Sequence, residues 1–291
     1  MTALVFPGQA SQFVGMGKDF EGSVAAQQLL GQANEIVGFD IAKVMAEGSS
    51  EDLKQTKVTQ PAVFLHSVIK FLTHVEPIIP KAVAGHSLGE FSALVANGAL
   101  TFSDGLQLVR ARAFAMQHAC DAQPGIMAAI VGLEDSIVEQ ICSQVNGVVV
   151  AANYNCPGQI VISGAHEPVA KACDLLTQAG ARRAIPLAVG GAFHSPLMKP
   201  AQTELSEAIE STSFHQPLCP IFQNVDGKAH SEPDEIKLNL IKQLTSPVRW
   251  SDTIQHMVKW GVTDFREVGG SGKVLQGMIK RISRESATAT L

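Results

Sequence analysis

The residues most suggestive of covalent chemistry in this chain are Gly85-His86-Ser87-Leu88-Gly89. The G-x-S-x-G spacing suits a strand that turns sharply into a helix. Side chains at the flanking positions would clash, so glycine stands there, and the serine is held with its hydroxyl exposed. The helix N-terminus that follows offers free N–H groups to a developing oxyanion. Three fixed letters recur by accident in roughly one chain in ten of this length. The context therefore carries the argument: the apolar run Ala82-Val83-Ala84 precedes the motif, and a helical pattern follows from Glu90. The competing reading is an ordinary glycine turn.

A serine becomes nucleophilic beside a base, and imidazole titrates in the right range. Of nine histidines, His194 stands at a glycine-rich return, Gly190-Gly191-Ala192-Phe193-His194-Ser195-Pro196. His86 adjoins the serine, but adjacent residues on such an elbow point apart. His66 falls on a helix face and reads as packing. Gln9 lies just past the first strand, in Phe6-Pro7-Gly8-Gln9-Ala10-Ser11-Gln12. Loops at the carboxyl ends of strands line the site of an open α/β sheet. A backbone N–H at Gln9, with that of Leu88, could form an oxyanion pair; the alternative is a polar loop. Arg110 and Arg112 sit in the helix after the elbow. Such an arginine is either a snorkelling surface residue or a bidentate clamp on a substrate carboxylate, and the residues alone leave both open. Gly269-Gly270-Ser271-Gly272-Lys273 departs from phosphate-loop spacing, with Glu267 and Val274 at the fixed positions, and reads as a tight turn into the last helix.

The elements that must position these residues follow from periodicity. Strands are predicted at Ala3–Phe6 and Ala82–Ala84, with helices over 25–37, 62–72 (Pro61 in its first turn), 90–98 and 103–118 (Ser103 as N-cap). The rhythm then changes. Strand 126–131, helix 134–144, strands 148–153 and 159–163 around a turn at 154–158, helix 167–179 and strand 183–189 make a β-α-β-β-α-β unit, the pattern of a ferredoxin-like domain. Helix 196–211, strand 220–224, helices 235–244 and 251–260, strand 264–268 and a helix from Lys273 resume the first type. The reading is one α/β body, residues 1–122 and 196–291, interrupted by a small domain at 123–195, with the groove between them a natural place for a ligand.

Composition narrows the function. The 291 residues are 46% apolar, enough for a large core, and carry a net charge of −5. An acidic balance argues against broad binding to nucleic acid or membrane surfaces. No apolar run reaches the roughly 20 residues of a membrane span, and the N-terminus lacks the basic leader of a signal peptide. Cys120, Cys142, Cys156, Cys173 and Cys219 are odd in number and widely spaced, as in a reducing cytoplasm. No metal-ligand spacing is present.

Seven segments, in order, carry a family resemblance: FPGQASQ at Phe6–Gln12, TQPA at Thr59–Ala62, GHSLGEFSAL at Gly85–Leu94, R-x-x-x-M-Q at Arg112–Gln117, GAFHSPLM at Gly191–Met198, SPVRW at Ser246–Trp250 and GKVLQG at Gly272–Gly277. Nearly end to end, the chain resembles the malonyl-CoA:acyl-carrier-protein transacylases of type II fatty acid synthesis. The resemblance implies an α/β-hydrolase-like body with a parallel sheet and a ferredoxin-like insertion. It implies Ser87 as nucleophile, His194 as base, Arg112 on the malonyl carboxylate, oxyanion N–H groups at Gln9 and Leu88, and Gln60 lining the site. It also implies that a backbone carbonyl, at or near Gln243, orients the histidine in place of an aspartate. The substrates implied are malonyl-CoA and acyl carrier protein, with no metal and no bound cofactor. Ala192-Phe193 resembles the malonyl-type pattern, in which the ring crowds a methylmalonyl methyl. Ala10 and Ser271 replace residues usual in the family, and neither replaces a reacting group. Lys280, Arg281, Arg182 and Arg183 are candidate contacts for the acidic carrier. The rival readings are a trans-acting acyltransferase of a polyketide synthase, a serine esterase or thioesterase (which would want an Asp between Ser and His), and a docking module without activity.

Overall fold

The computed structural model describes residues 1–76 and 78–291. It begins with strand β1 (Thr2–Phe6), whose Ala3, Leu4, Val5 and Phe6 are all inaccessible to solvent. Helices α1 (Val24–Val37), α2 (Ile41–Glu47) and α3 (Ser50–Lys54) follow, N-capped by the side chains of Ser23, Asp40 and Ser49. Helix α4 (Thr56–Leu72) leads to β2 (Ala82–Gly85), α5 (Gly89–Ala96) and the long α6 (Phe102–Ala122). The next elements are β3 (Ile126–Val131), α7 (Asp135–Gln144), β4 (Val149–Cys156), β5 (Gln159–Gly164), α8 (His166–Gln178) and β6 (Arg183–Pro186). The chain ends with α9 (Lys199–Ser211), β7 (Ile221–Phe222), β8 (Ala229–His230), α10 (Pro233–Lys242), α11 (Trp250–Lys259), β9 (Asp264–Glu267), α12 (Val274–Ile282) and β10 (Ala287–Thr290).

Two sheets result. One runs β10-β9-β1-β2-β7-β8, parallel except for β7 with β8. Alternate residues of its central strands feed different cores. Leu4, Phe6 and Val83 pack with α1, α4, α5 and α6, while Ala3, Val5, Ala82 and Ala84 pack with Trp250, Met257 and Leu275 from α11 and α12. Burial on both faces is why these strands read as continuous apolar runs. The other sheet, β4-β5-β3-β6, is antiparallel, with α7 and α8 covering one face through Val138, Val169 and Leu176. The antiparallel sheet is joined to the segment before α11 by backbone bonds at Val248, whose N–H donates to Ala152 O (2.8 Å) and whose carbonyl accepts from Tyr154 N–H (2.9 Å).

Several boundaries differ from expectation, each for a local reason. Helix α4 starts at Thr56, so Pro61 lies inside it and leaves the Lys57 carbonyl without its usual donor. Buried Thr56, Val58, Thr59 and Gln60 hold that first turn by packing. Helix α6 is capped by Thr101, whose hydroxyl accepts from Asp104 N–H, and not by Ser103. The β4–β5 turn narrows to Pro157-Gly158, with Gly158 at φ 71°. Strand β6 stops at Pro186, because Val189 N–H turns back to Leu187 O two residues earlier. Helices α2 and α3 and strands β8 and β10 were not anticipated. β10 is an Ala-Thr edge without an apolar run, and only its pairing with β9 makes it a strand.

Candidate active site

The turn from β2 into α5 explains the glycines around Ser87. A Cβ on Gly85 would lie 1.9 Å from Gly89 C, and one on Gly89 would lie 2.0 Å from Phe6 O. The turn leaves Ser87 at φ 52°, a left-handed conformation unfavourable for a serine. Its backbone is held from outside: its N–H donates to Asn224 Oδ1 (2.6 Å), and its carbonyl accepts from Gln243 Nε2 (3.1 Å).

Ser87 Oγ lies 2.7 Å from His194 Nε2. On the other side of the ring, His194 Nδ1 faces the carbonyls of Gln243 (3.0 Å) and Ser246 (3.2 Å). Carbonyls only accept, so Nδ1 carries the proton and Nε2 is left to accept from the serine. Burial and then the Arg112 charge hold the imidazole proton affinity down, to a pKa of about 3, against the pull of the two carbonyls. The ring is therefore neutral near pH 7 and free to take a proton.

Arg112 is buried, with 1% of its surface exposed, so it is not a snorkelling surface residue. It projects from α6 across the Phe91 ring at 5.7 Å. Its Nη1 donates to Gln60 Oε1 (2.9 Å), and Nη2 donates to Ser87 Oγ (3.0 Å) and Gln243 Oε1 (3.3 Å). Nε has no partner, and all the bonded acceptors are neutral. Burial lowers its pKa to about 10, and the field of Glu90 opposes this. A buried guanidinium with a spare donor and no bonded carboxylate has the chemistry to receive an anion. Arg110, by contrast, is exposed beside Phe114.

Gln9 and Leu88 border the same cavity, of about 120 Å³, and their N–H groups have no acceptor among the described residues. Its apolar wall is Met116, Met127, Leu187, Val189 and Phe193. A larger hollow of about 430 Å³ over α7 and α8 pairs no nucleophile with a base. No group of three or more His, Cys, Asp or Glu residues that could hold a metal occurs among the described residues.

Sequence reasoning missed a second ring of residues. Asn224, just past β7, also donates from Nδ2 to Gly85 O (2.6 Å), and its own N–H donates to the Glu90 carboxylate (2.8 Å). Glu90 is fully buried, accepts also from Gln223 Nε2 (3.1 Å), and has its pKa pushed up to about 7 by burial. The signal for Glu90 was its place inside the serine motif; Asn224 offered none beyond a turn-like Asn-Val-Asp-Gly. His86 turns from the serine to Asn155 Oδ1 (2.9 Å), as expected of an elbow neighbour. His66 is more than packing. Its Nδ1 accepts from Gly270 N–H (2.9 Å), so Nε2 donates to Asp19 (3.1 Å), pinning the glycine-rich turn to α4.

Known proteins resemble this chain along nearly its whole length. The acyl transferase domain profile matches residues 3–290. The malonyl CoA-acyl carrier protein transacylase of Bacillus subtilis is 43% identical over 98% of this chain and 92% of its own length. That of Escherichia coli K12 is 40% identical over 96% and 92%. The crystal structure of an acyl-carrier-protein S-malonyltransferase from Burkholderia pseudomallei superposes with a TM-score of 0.94 at 41% identity, covering 99% of this chain and 95% of that one. A malonyl-transacylase in complex with a type II polyketide synthase acyl carrier protein gives 0.95 at 38%, covering 100% and 95%.

Proposed function

The chain belongs to the acyl transferase domain family, and on that premise we propose that Ser87 carries the acyl group, His194 moves its proton and Arg112 reads a carboxylate. The reaction is transfer of the malonyl group from malonyl-CoA to acyl carrier protein, which supplies fatty acid synthesis.

His194 Nε2 takes the Ser87 proton as Oγ attacks the thioester carbonyl. The tetrahedral oxyanion is met by the N–H groups of Gln9 and Leu88. The intermediate collapses, the coenzyme A sulfur leaves with the proton held on His194, and a malonyl-serine ester remains. The pantetheine thiol of the carrier then gives its proton to His194 and attacks that ester, and Ser87 is regenerated. Gln243 and Ser246 keep the ring oriented with their carbonyls, the place an aspartate fills in other serine enzymes. Gln60 and the Gln243 side chain hold Arg112 against the acyl pocket.

One observation carries this reading over an esterase: a buried guanidinium 3.0 Å from the serine oxygen, bonded only to neutral groups. A hydrolase of simple esters has no use for it. Finer assignments belong to the same proposal. The strand order β4-β5-β3-β6 supports a ferredoxin-like small domain at 123–195, and the parallel sheet with the elbow supports a hydrolase-like body formed by 1–122 and 196–291. A cytoplasmic setting is supported by cysteines that are all unpaired. Among the described residues no helix is long and apolar enough to cross a membrane.

Mass spectrometry of the intact protein after mixing with malonyl-CoA tests the mechanism. A covalent gain of about 86 Da on Ser87 is expected for a malonyl ester. Ser87→Ala should fold and show none; an adduct on that variant removes Ser87 from the mechanism.

A further inference from the structure

Two groups hold the oxygen of Ser87. The hydroxyl proton points to His194 Nε2 at 2.7 Å, and a lone pair accepts from Arg112 Nη2 at 3.0 Å. The second bond opposes the chemistry. A cation donating to the serine oxygen draws density from the electrons that must attack the thioester. Nothing in the resting site offers the guanidinium a better acceptor: Gln60 and Gln243 are neutral, Nε has no partner, and Glu90 spends its oxygens on Asn224 and Gln223. A malonyl group brings one. Its carboxylate lies one methylene from the reacting carbonyl, within reach of an arginine that already touches Oγ. Charge-assisted bonds are about twice as strong as neutral ones.

We propose that Arg112 caps the Ser87 hydroxyl in the resting protein, and that the carboxylate of the acyl group lifts the cap, setting the rate of acylation as well as the strength of binding. The inference rests on the reading of Ser87 as the acyl-carrying residue. It also has a second signature, at the base. His194 is faced by Arg112 from α6, by His86 from the elbow, and by the carbonyls of Gln243 and Ser246 in the turn that follows α10. Of these, only the arginine charge is cancelled when a carboxylate arrives, while Glu90 keeps its own partners. Cancelling a nearby cation raises the affinity of an imidazole for its proton. The acid limb of acylation, measured in the bound complex, therefore lies at higher pH with malonyl-CoA than with acetyl-CoA.

The test is single-turnover acylation followed by rapid quench and intact mass, at saturating malonyl-CoA or acetyl-CoA, across pH. Wild type, Arg112→Met and Arg112→Gln are compared after thermal melts establish that each is folded. In wild type the malonyl rate constant should exceed the acetyl one by about 10-fold or more. The two acid limbs should be separated by about one pH unit. In Arg112→Met the acetyl rate constant should rise, by ~5-fold, the malonyl one should fall, and the limbs should merge. If folded variants acylate with acetyl no faster than wild type, or the wild-type limbs coincide, the cap is wrong and Arg112 only binds. Should neither variant fold, the wild-type limbs decide alone. Absence of any malonyl adduct on wild-type Ser87 is a different failure, that of the underlying reading.

Discussion

Ser87 pays for its position with a backbone angle of 52°, of a kind that costs on the order of 1–3 kcal/mol and persists only where neighbours over-determine it. Asn224 is that neighbour, accepting from the Ser87 N–H and donating to Gly85 O, so one amide clamps both sides of the turn. Asn224→Ala strands two buried groups, worth about 1–3 kcal/mol each. It should lower kcat for malonyl transfer by about 10- to 100-fold with KM for malonyl-CoA little changed. Asn224→Asp, which keeps the acceptor but loses the donor, should recover part of that loss. A rise in KM at constant kcat would instead assign Asn224 to binding. Buried titratable groups add a pH signature. His66 is held at about 4 and His194 at about 3, in both cases chiefly by burial. Each binds its proton more readily unfolded, so their contributions are present above pH 6.5 and are lost as pH falls towards those values. Glu90, raised to about 7 from 4.5, has the opposite sign: its contribution is complete below 4.5 and fades as pH rises through 7. Between about pH 6.5 and 4.5 two histidines lose their contributions against one glutamate's gain, so melting temperature should fall on acidification, and fall more steeply below 4.5 where Glu90 no longer offsets them. His66→Gln should weaken the acid drop, and an unchanged drop would remove His66 from the account.

At the scale of elements, a glycine of the turn around Ser87 and one inside α1 make an opposed pair of predictions. Gly89→Ala drives a methyl into Phe6 O on β1, at 2.0 Å, so α5 cannot seat on the sheet. The urea midpoint should fall by the equivalent of about 1–3 kcal/mol. Gly31, in the interior of α1, has nothing within 4 Å of its would-be Cβ. Gly31→Ala should raise the midpoint by about 0.5–1 kcal/mol. Equal effects at the two sites would refute the steric reading of the elbow. The same contrast explains what was legible beforehand. β1 and β2 are buried on both faces and spell it out in apolar letters, and G-x-S-x-G announces a turn because the backbone itself needs those glycines. His194 stood out through its glycine-rich approach. Asn224 is 137 residues from the serine it clamps, and its role arises only when β7 pairs with β2. Arg112 looked like any arginine on a mixed helix until α4 and α5 closed around it. β10 has no apolar pattern, since a ladder of backbone bonds asks nothing of its side chains.

On the scale of the whole molecule, the cavity beside Ser87 is shared. Ser87, Arg112 and Gln9 lie around the parallel sheet, whereas Met127 comes from β3 of the antiparallel sheet and Leu187 directly follows β6. The antiparallel sheet is tied to the segment before α11 at Val248 and to α12 by Arg281, which donates to Pro157 O (3.0 Å) and Gln159 Oε1 (2.9 Å) on the β4–β5 hairpin. That tie changes the expectation for carrier docking. Arg281 has structural work, and Lys280 donates to Ser286 O, whereas Arg182 and Arg183 are exposed with no carboxylate partner among the described residues. Reversing the charges of Arg182 and Arg183 together should slow transfer to acyl carrier protein, more at low salt than at high, and leave acylation by malonyl-CoA unchanged. Arg281→Glu should impair both half-reactions alike; selective loss of the second would restore it as a docking residue. The division of the site along the chain has a further consequence, in time. During synthesis Ser87 emerges from the ribosome more than a hundred residues ahead of His194, and the carbonyl of Gln243 follows His194 by another 49 residues. β9, which flanks β1 at the centre of the sheet, comes later still. On the proposed mechanism, a nascent chain displays its serine motif to every thioester in its surroundings without the partners that would let it react, and chemical competence arrives only with the last strands of the fold.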